Sequence, residues 1–265
     1  MSLLLRSLER QEFALKRRPE WEVVLIDNDG EGSARAVYED FLKRGALKLR
    51  YVAEARQGLS HVRNTAIETV VGQADFLCFI DDDETASERW LDEMITTQRE
   101  ANAECVCGAI RYAMPSETPD WVRKGHFFDA PPILNDGSEA LSRGSNNIMI
   151  SCNFLRRTGH RFDPRFNHAG GEDEFFLYTA QEKYELKIAG AARAVVTENV
   201  FPNRVNLEWI VRRKFRYGNT LALCERLNHA PFSRLLLRAV KGTGRIALGF
   251  IMLPSYFVPH SSMLA

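Results

Sequence analysis

The chain has 265 residues, 45% of them hydrophobic and 26% charged, with 35 basic side chains set against 35 acidic ones. Such a composition supplies a domain-sized core and excludes a disordered chain, while the zero net charge gives no reason to expect nucleic acid as a partner. No run reaches the roughly 18 uninterrupted apolar residues of a membrane span, and the opening MSLLLRSLERQ interleaves charges with its leucines instead of forming the apolar stretch of a secretory signal.

In chain order, Leu3, Leu4, Leu8 and Leu15 among charged neighbours predict an amphipathic opening helix ended by Pro19. WEVVLIDNDG then predicts a buried strand running into a turn. Residues 34–44 are helical in pattern, 48–53 extended, and 58–70 helical from a start at Gly58 and Ser60. The run FLCFI (76–80) suits a strand buried on both faces, and a helix is expected through Glu88, Trp90, Leu91, Met94 and Ile95. Strands and helices alternating with short links argue for an α/β fold, a doubly wound and mostly parallel sheet flanked by helices.

The second half is less regular. CVCGAIRYAM (105–114), NIMISCNF (147–154) and KIAGAARAVVTENV (187–200) are expected as strands, with a long loop after the first of them. A long helix is expected over 206–227. Cysteines 78, 105, 107, 152 and 224 form no CxxC pair and the six histidines no ligand spacing, so reduced buried thiols in a cytosolic setting are expected and a structural zinc site is not.

Four clusters carry chemistry. Asp27, Asn28 and Asp29 follow a strand, where they can bond a ribose or a base edge or simply build an Asx turn. Asp81, Asp82 and Asp83 stop the run FLCFI; adjacent carboxylates resist joint ionisation, so a cation or a set of donors is expected beside them. Hard Mg²⁺ or Mn²⁺, which takes one or two carboxylates and leaves other positions to water and phosphate oxygens, fits three acids there. The structural alternative is a solvated turn in which Asp83 or Thr85 caps the next helix. In HAGGEDEFFLY, Gly170 and Gly171 lead into Glu172, Asp173 and Glu174 at a helix start. The helix dipole favours acids there, but a Gly-Gly lead marks a sharp bend or a close approach. Finally, VRRKFRYG sets Arg212, Arg213, Lys214 and Arg216 on one helix, either as a solvated face or as a complement to a diphosphate.

Together these pieces describe transfer from a nucleotide sugar. The ordered set VVLIDN, GLSHVRNTAI, FLCFIDDDE, SNNIMI, FDPRFNHAGGEDEFF, VVTENV and RRKFRYGNT resembles family 2 glycosyltransferases over roughly residues 3–225. In the ending ENVFPNR…RRKFRYG it is similar to exopolysaccharide glucosyltransferases of the succinoglycan type. The resemblance implies a GT-A fold, an inverting mechanism, a nucleotide diphosphate sugar donor (a UDP-sugar), a glycan or lipid-linked acceptor and a divalent ion at a DxD motif. It places Asp27 and Asn28 at the base, Arg63 near the nucleotide, Asp81 and Asp82 at the ribose, and Asp83 with Asp81 at the metal. Asp173 falls on the catalytic base, with Glu172, Arg213 and Arg216 on the diphosphate and acceptor side. Family members begin with a strand of the type VxVVIPTYNR, whereas this sequence opens on the helix after it, so the first strand of the pattern is missing. Two rivals stand beside this reading. One is a degenerate, membrane-associated partner protein; the other is a haloacid-dehalogenase-like phosphatase using DDDET, against which no GDxxxD pair occurs.

The expected domains are 1–228 and a tail, 229–265. Arg234, Arg238, Lys241 and Arg245 fall on one helical face, with Phe232, Leu235, Leu236, Ala239 and Val240 on another. IALGFIMLPSYFV (246–258) follows, too short to span a bilayer. This predicts a basic, apolar tail on an anionic membrane surface, peripheral on the inner face of the cell membrane.

Overall fold

The computed structural model describes residues 1–129, 136–138, 144–167 and 170–252. The chain divides into two compact units, Met1–Leu221 and Ala222–Ala265.

The first unit opens with α1 (Ser2–Glu9), whose Leu4, Leu5 and Leu8 are buried. This helix is shorter than predicted. Side-chain bonds pull the chain off the helical path: the Gln11 amide donates to the Ser87 carbonyl and accepts from Leu91 N–H, and Asp92 accepts from the amides of Ala14 and Leu15. Next come β1 (Val23–Asp27), α2 (Ala34–Arg44), β2 (Leu49–Ala53), α3 (Leu59–Val70) and β3 (Phe76–Ile80), within a residue or two of the expected bounds. A short β4 (Glu84–Ala86) intervenes before α4 (Trp90–Ala101), which starts after Arg89; neither Asp83 nor Thr85 caps it.

The remaining elements are β5 (Cys105–Ala113), α5 (Asp120–Lys124), β6 (Asn147–Ser151), α6 (Cys152–Thr158), α7 (Glu172–Tyr184), β7 (Ile188–Asn199) and α8 (Leu207–Leu227). β6 ends three residues earlier than expected because the Ser151 side chain accepts from Phe154 N–H and caps α6. Part of the long loop after β5, and His168 and Ala169 of the Gly-Gly motif, lie outside the described residues.

The sheet is mixed, which corrects the expectation of a mostly parallel one. β1 and β2 pair in parallel as a two-stranded sheet, while β3-β6-β5-β7-β4 form a second sheet in which only β5 and β7 run parallel. Among the described residues β1 has no strand partner on its side away from β2, nor β3 on its side away from β6. Apolar side chains of β1 and β3 nevertheless share cores: Val23 and Leu25 pack into the same cluster as Phe76, Cys78 and Ile80. The register of β5 against β7 shifts between Gly108 and Ala109. Buried Asn147 fills that bulge, donating to the carbonyls of Ala109 and Ala194 and accepting from the Trp90 indole. A Cβ at Gly108 would lie 2.4 Å from the Ala194 carbonyl oxygen, so only glycine fits there.

The second unit holds the end of α8 and α9 (Phe232–Met252), tied by Arg238 donating to buried Glu225. Phe232, Leu236, Leu237, Val240 and Ile246 are exposed on α9. Residues 253–258 of the predicted apolar tail lie outside the described residues. Among the described residues no helix is long and apolar enough to cross a membrane.

Candidate active site

The acids that end β3 form a tight turn. Glu84 N–H donates to the Asp81 carbonyl, and Asp81 N–H donates back to the Glu84 carboxyl at 3.0 Å. Asn199, the last residue of β7, donates to the Asp83 carbonyl at 3.3 Å. Asp81 and Asp82 stay exposed while the Glu84 side chain is buried. Burial pushes the Glu84 carboxyl up to about 9, with nearby Asp81 adding to the rise. Asp81, although its side chain keeps half its surface open to water, is surrounded by enough protein that desolvation raises it to about 6; Arg63 opposes this, and Asp83, Asp173 and Asp82 reinforce it.

Arg63, on α3, is the counter-charge. Its guanidinium donates to the buried Glu172 carboxylate, stands 3.9 Å from Asp81 and lies over the Phe162 ring at 5.5 Å. α3 is set in place by Asn167, which accepts from Ser60 N–H and occupies the space a Cβ at Gly58 would need. Asn28 accepts from Gly58 N–H.

α7 presents the second group of carboxylates. Gly170 and Gly171 adopt φ of +70° and +89°, and a Cβ at Gly171 would lie 2.3 Å from Thr220 Cγ2 on α8. The glycines thus meet both demands, a left-handed bend and a close helix approach. Past them, Asp173 accepts from Glu174 N–H, and burial raises its carboxyl, opposed by Arg63. Gly144, before β6, lies against Asp173: a Cβ there would be 3.5 Å from Asp173 Oδ2.

Arg63, Asp81, Asp83, Glu172 and Asp173 are therefore brought together at one end of the larger sheet. Arg216 reaches the same place, its guanidinium lying against Gly170. Arg213 is enclosed instead: the rings of Tyr112, Phe128, Trp209 and Tyr217 surround it at 5.0–5.8 Å, and it donates to the Tyr217 hydroxyl at 2.6 Å. It still opposes the rise that burial imposes on Glu198. Asp27 accepts from Tyr51 O–H and from the amides of Asp29 and Ala34, and Asn28 donates to the carbonyls of Glu54 and Arg56. Both sit at the carboxyl end of β1, where they also hold the local turns.

Three participants escaped the sequence reading. Glu84 was legible only as the tail of an acidic run, Asn146 only as part of SNNIMI, and Glu198 only as strand. Each acquires its place through pairing: Glu84 lies opposite Glu198 in the β4–β7 register, and Asn146 donates to Glu84 at 2.6 Å. Among the described residues no three His, Cys, Asp or Glu side chains are already gathered as a metal cage. Two carboxylates on one exposed turn nevertheless suit a hard divalent ion that completes its shell with water and phosphate oxygens.

The mixed sheet, with its acid turn and its second carboxylate group on α7, is a GT-A glycosyltransferase fold. It is similar to Staphylococcus aureus TarS 1–349 in complex with UDP (TM-score 0.56, 18% identity, 84% of this chain and 60% of that one). It is also similar to the mannosyltransferase PcManGT from Pyrobaculum calidifontis in complex with GDP-Man and Mn²⁺ (TM-score 0.58, 18% identity, 86% and 59%). In sequence, 33% identity over 216 residues links it to succinoglycan biosynthesis protein ExoM of Rhizobium meliloti (strain 1021), over 82% of this chain and 68% of that protein. Residues 3–161 match the family model described as Glycosyl transferase family 2, and the chain belongs to that family.

Proposed function

We propose that the chain transfers a hexose, with inversion, from a UDP-sugar to a hydroxyl of a glycan or lipid-linked oligosaccharide in bacterial surface or exopolysaccharide synthesis. The observation that carries this reading is the separation of two carboxylate groups. An acid turn in which Asp81 and Asp82 are exposed and Asp83 is half-buried lies across Arg63 from a half-buried carboxyl of raised pKa, Asp173. In the proposed reaction Asp173 takes the proton from the acceptor oxygen as that oxygen attacks the anomeric carbon on the face opposite the diphosphate. A raised pKa suits this role, because the base must hold the proton it receives. Arg63 keeps Glu172 and Asp81 paired so that Asp173 is not crowded by two uncompensated charges.

Asp81 and Asp82 are assigned to the ribose, and Asp27 and Asn28 to the base. Arg216, exposed beside Gly170, is assigned to the leaving phosphate. Arg213 is assigned to the same side, acting from within its aromatic enclosure. Asp83 with Asp81 would hold Mg²⁺ or Mn²⁺, which when bound supplies positive charge opposite the developing charge on the diphosphate. The likeness to proteins bound to UDP, or to GDP-Man with Mn²⁺, supports the donor and the ion.

α9 and the residues after it are proposed to attach the protein peripherally to the inner face of the cell membrane, near a lipid-linked acceptor. The exposed apolar side chains of α9 support this. Each basic residue near anionic lipid would contribute about 1 kcal/mol.

Two variants test the division of roles. Asp83→Ala should abolish Mn²⁺-dependent UDP binding together with turnover, and Asp173→Asn should keep the binding and lose the turnover. Equal loss of UDP affinity in both, measured by calorimetry, defeats the assignment.

A further inference from the structure

Between the acid turn and the segment leading into β6 runs a side-chain bond that the mechanism does not use, and that segment lies near Asp173. The Glu84 carboxyl is 1% exposed and has two fixed donors: Asp81 N–H at 3.0 Å on one oxygen and the Asn146 amide at 2.6 Å on the other. A Cβ at Gly144 would stand 2.7 Å from Asn146 Oδ1 and 3.5 Å from Asp173 Oδ2, so Gly144 lies near both side chains. The neighbouring Asn147 anchors the start of β6 to β5, β7 and the Trp90 indole. Asn147 therefore fixes the strand to the core while Asn146 turns to the acid turn.

We propose that Glu84 and Asn146 are a positioning pair that sets the acid turn Asp81–Asp83 against Asp173, holding the donor-side and acceptor-side carboxylates in register. The physical argument is geometric. The backbone bond between Glu84 N–H and the Asp81 carbonyl closes the turn once, and the Glu84 side chain closes it a second time through Asp81 N–H. The Glu84 backbone pairs with Glu198 of β7, and the side chain adds a bond to Asn146, at the start of β6. Without it the turn keeps its local closure and the ladder pairing of Ile80 with Asn147, but the far side of the turn loses its side-chain tie to Asn146, and a small misplacement of reacting groups is costly in rate.

The proposal rests on the glycosyl-transfer reading for its activity arm alone. The test uses the full chain and the variants Glu84→Ala, Glu84→Gln, Asn146→Asp and the double Glu84→Gln/Asn146→Asp. It has three readouts: hydrogen exchange at the Asp81 amide, calorimetry of UDP with Mn²⁺, and kcat with KM. Glu84→Ala should speed exchange at Asp81 and weaken UDP affinity by about tenfold each, the order expected from losing a buried bond to a carboxyl group. Glu84→Gln keeps an oxygen for Asp81 N–H but sets its NH2 against the Asn146 NH2, so exchange at Asp81 should stay within about threefold of wild type while kcat falls.

Asn146→Asp sets two carboxyl groups face to face and should lower kcat more than it raises KM. In the double variant the amide introduced at position 84 donates to the carboxylate introduced at position 146, the bond reversed in direction, and kcat should recover by about tenfold over Asn146→Asp. Unchanged exchange at Asp81 in Glu84→Ala, or a double variant no better than Asn146→Asp, overturns the proposal. A wild type that binds no UDP with Mn²⁺ refutes the functional reading instead, and the exchange arm then decides the positioning role by itself.

Discussion

Arg63 donates to Glu172 where the side chains keep only 9% and 6% of their surface, the most buried ion pair that touches the candidate site among the described residues. Removing one member of such a pair strands the other charge in a low-dielectric setting, which costs about 3–5 kcal/mol. Arg63→Leu should therefore lower the urea midpoint strongly, while Arg63→Leu/Glu172→Leu recovers much of the stability and none of the activity. Equal stability losses in the single and double variants would mean that the pair matters through packing alone.

Gly171 carries a second prediction. Its φ of +89° is strained for any side chain, and a Cβ would collide with Thr220. Gly171→Ala should destabilise by about 2 kcal/mol or more and shift the start of α7, lowering turnover beyond what the stability loss explains. Adding Thr220→Ala removes the collision and leaves the backbone strain, so recovery should be partial. Full recovery in equilibrium unfolding would assign the whole effect to the helix contact.

His160 makes stability depend on pH. Its ring is 8% exposed, stacked on Phe176 with centroids 4.3 Å apart, and Nε2 lies 2.8 Å from the Phe176 carbonyl. Burial lowers its pKa below 6.5, with Lys183 and Arg161 acting in the same direction and the bond to Phe176 opposing. The unfolded chain takes up a proton near pH 6.5 while the folded one does not, so this residue's contribution is complete above that pH and shrinks as pH falls through 6.5 toward the folded pKa. The stability gap between wild type and His160→Gln should narrow from about pH 7.5 to about pH 5. A gap independent of pH, by thermal unfolding, contradicts this.

The tail prediction concerns vesicles. Wild type should sediment with anionic but not neutral vesicles and be released by high salt, and the chain ended after Asn228 should stay in the supernatant. Arg238 is engaged with Glu225, so Arg238→Ala should weaken sedimentation less than Lys241→Ala or Arg245→Ala, at two exposed positions of the same helix. Equal sedimentation of full and shortened chains would remove the tail from the account.

What the sequence determined by itself is periodicity and local chemistry. The apolar pattern set β1, α2, β2, α3 and β3 to within a residue or two, because burial on one face or two is written into residue spacing. The acids after β3 and the glycines before α7 were likewise legible, since crowded charge and backbone freedom are local properties. Pairing was not legible. A run such as NIMIS reads as a buried strand whichever way its neighbours run, so the antiparallel insertion of β6 between β3 and β5 could come only from the three-dimensional arrangement. For the same reason Arg63 could be placed near the nucleotide but not against Glu172, which is 109 residues away, and Glu84 could not be joined to Asn146 across 62 residues. Those contacts exist because the tertiary structure brings strand ends together and buries their polar atoms, and a buried polar atom must find its partner wherever the fold has put one.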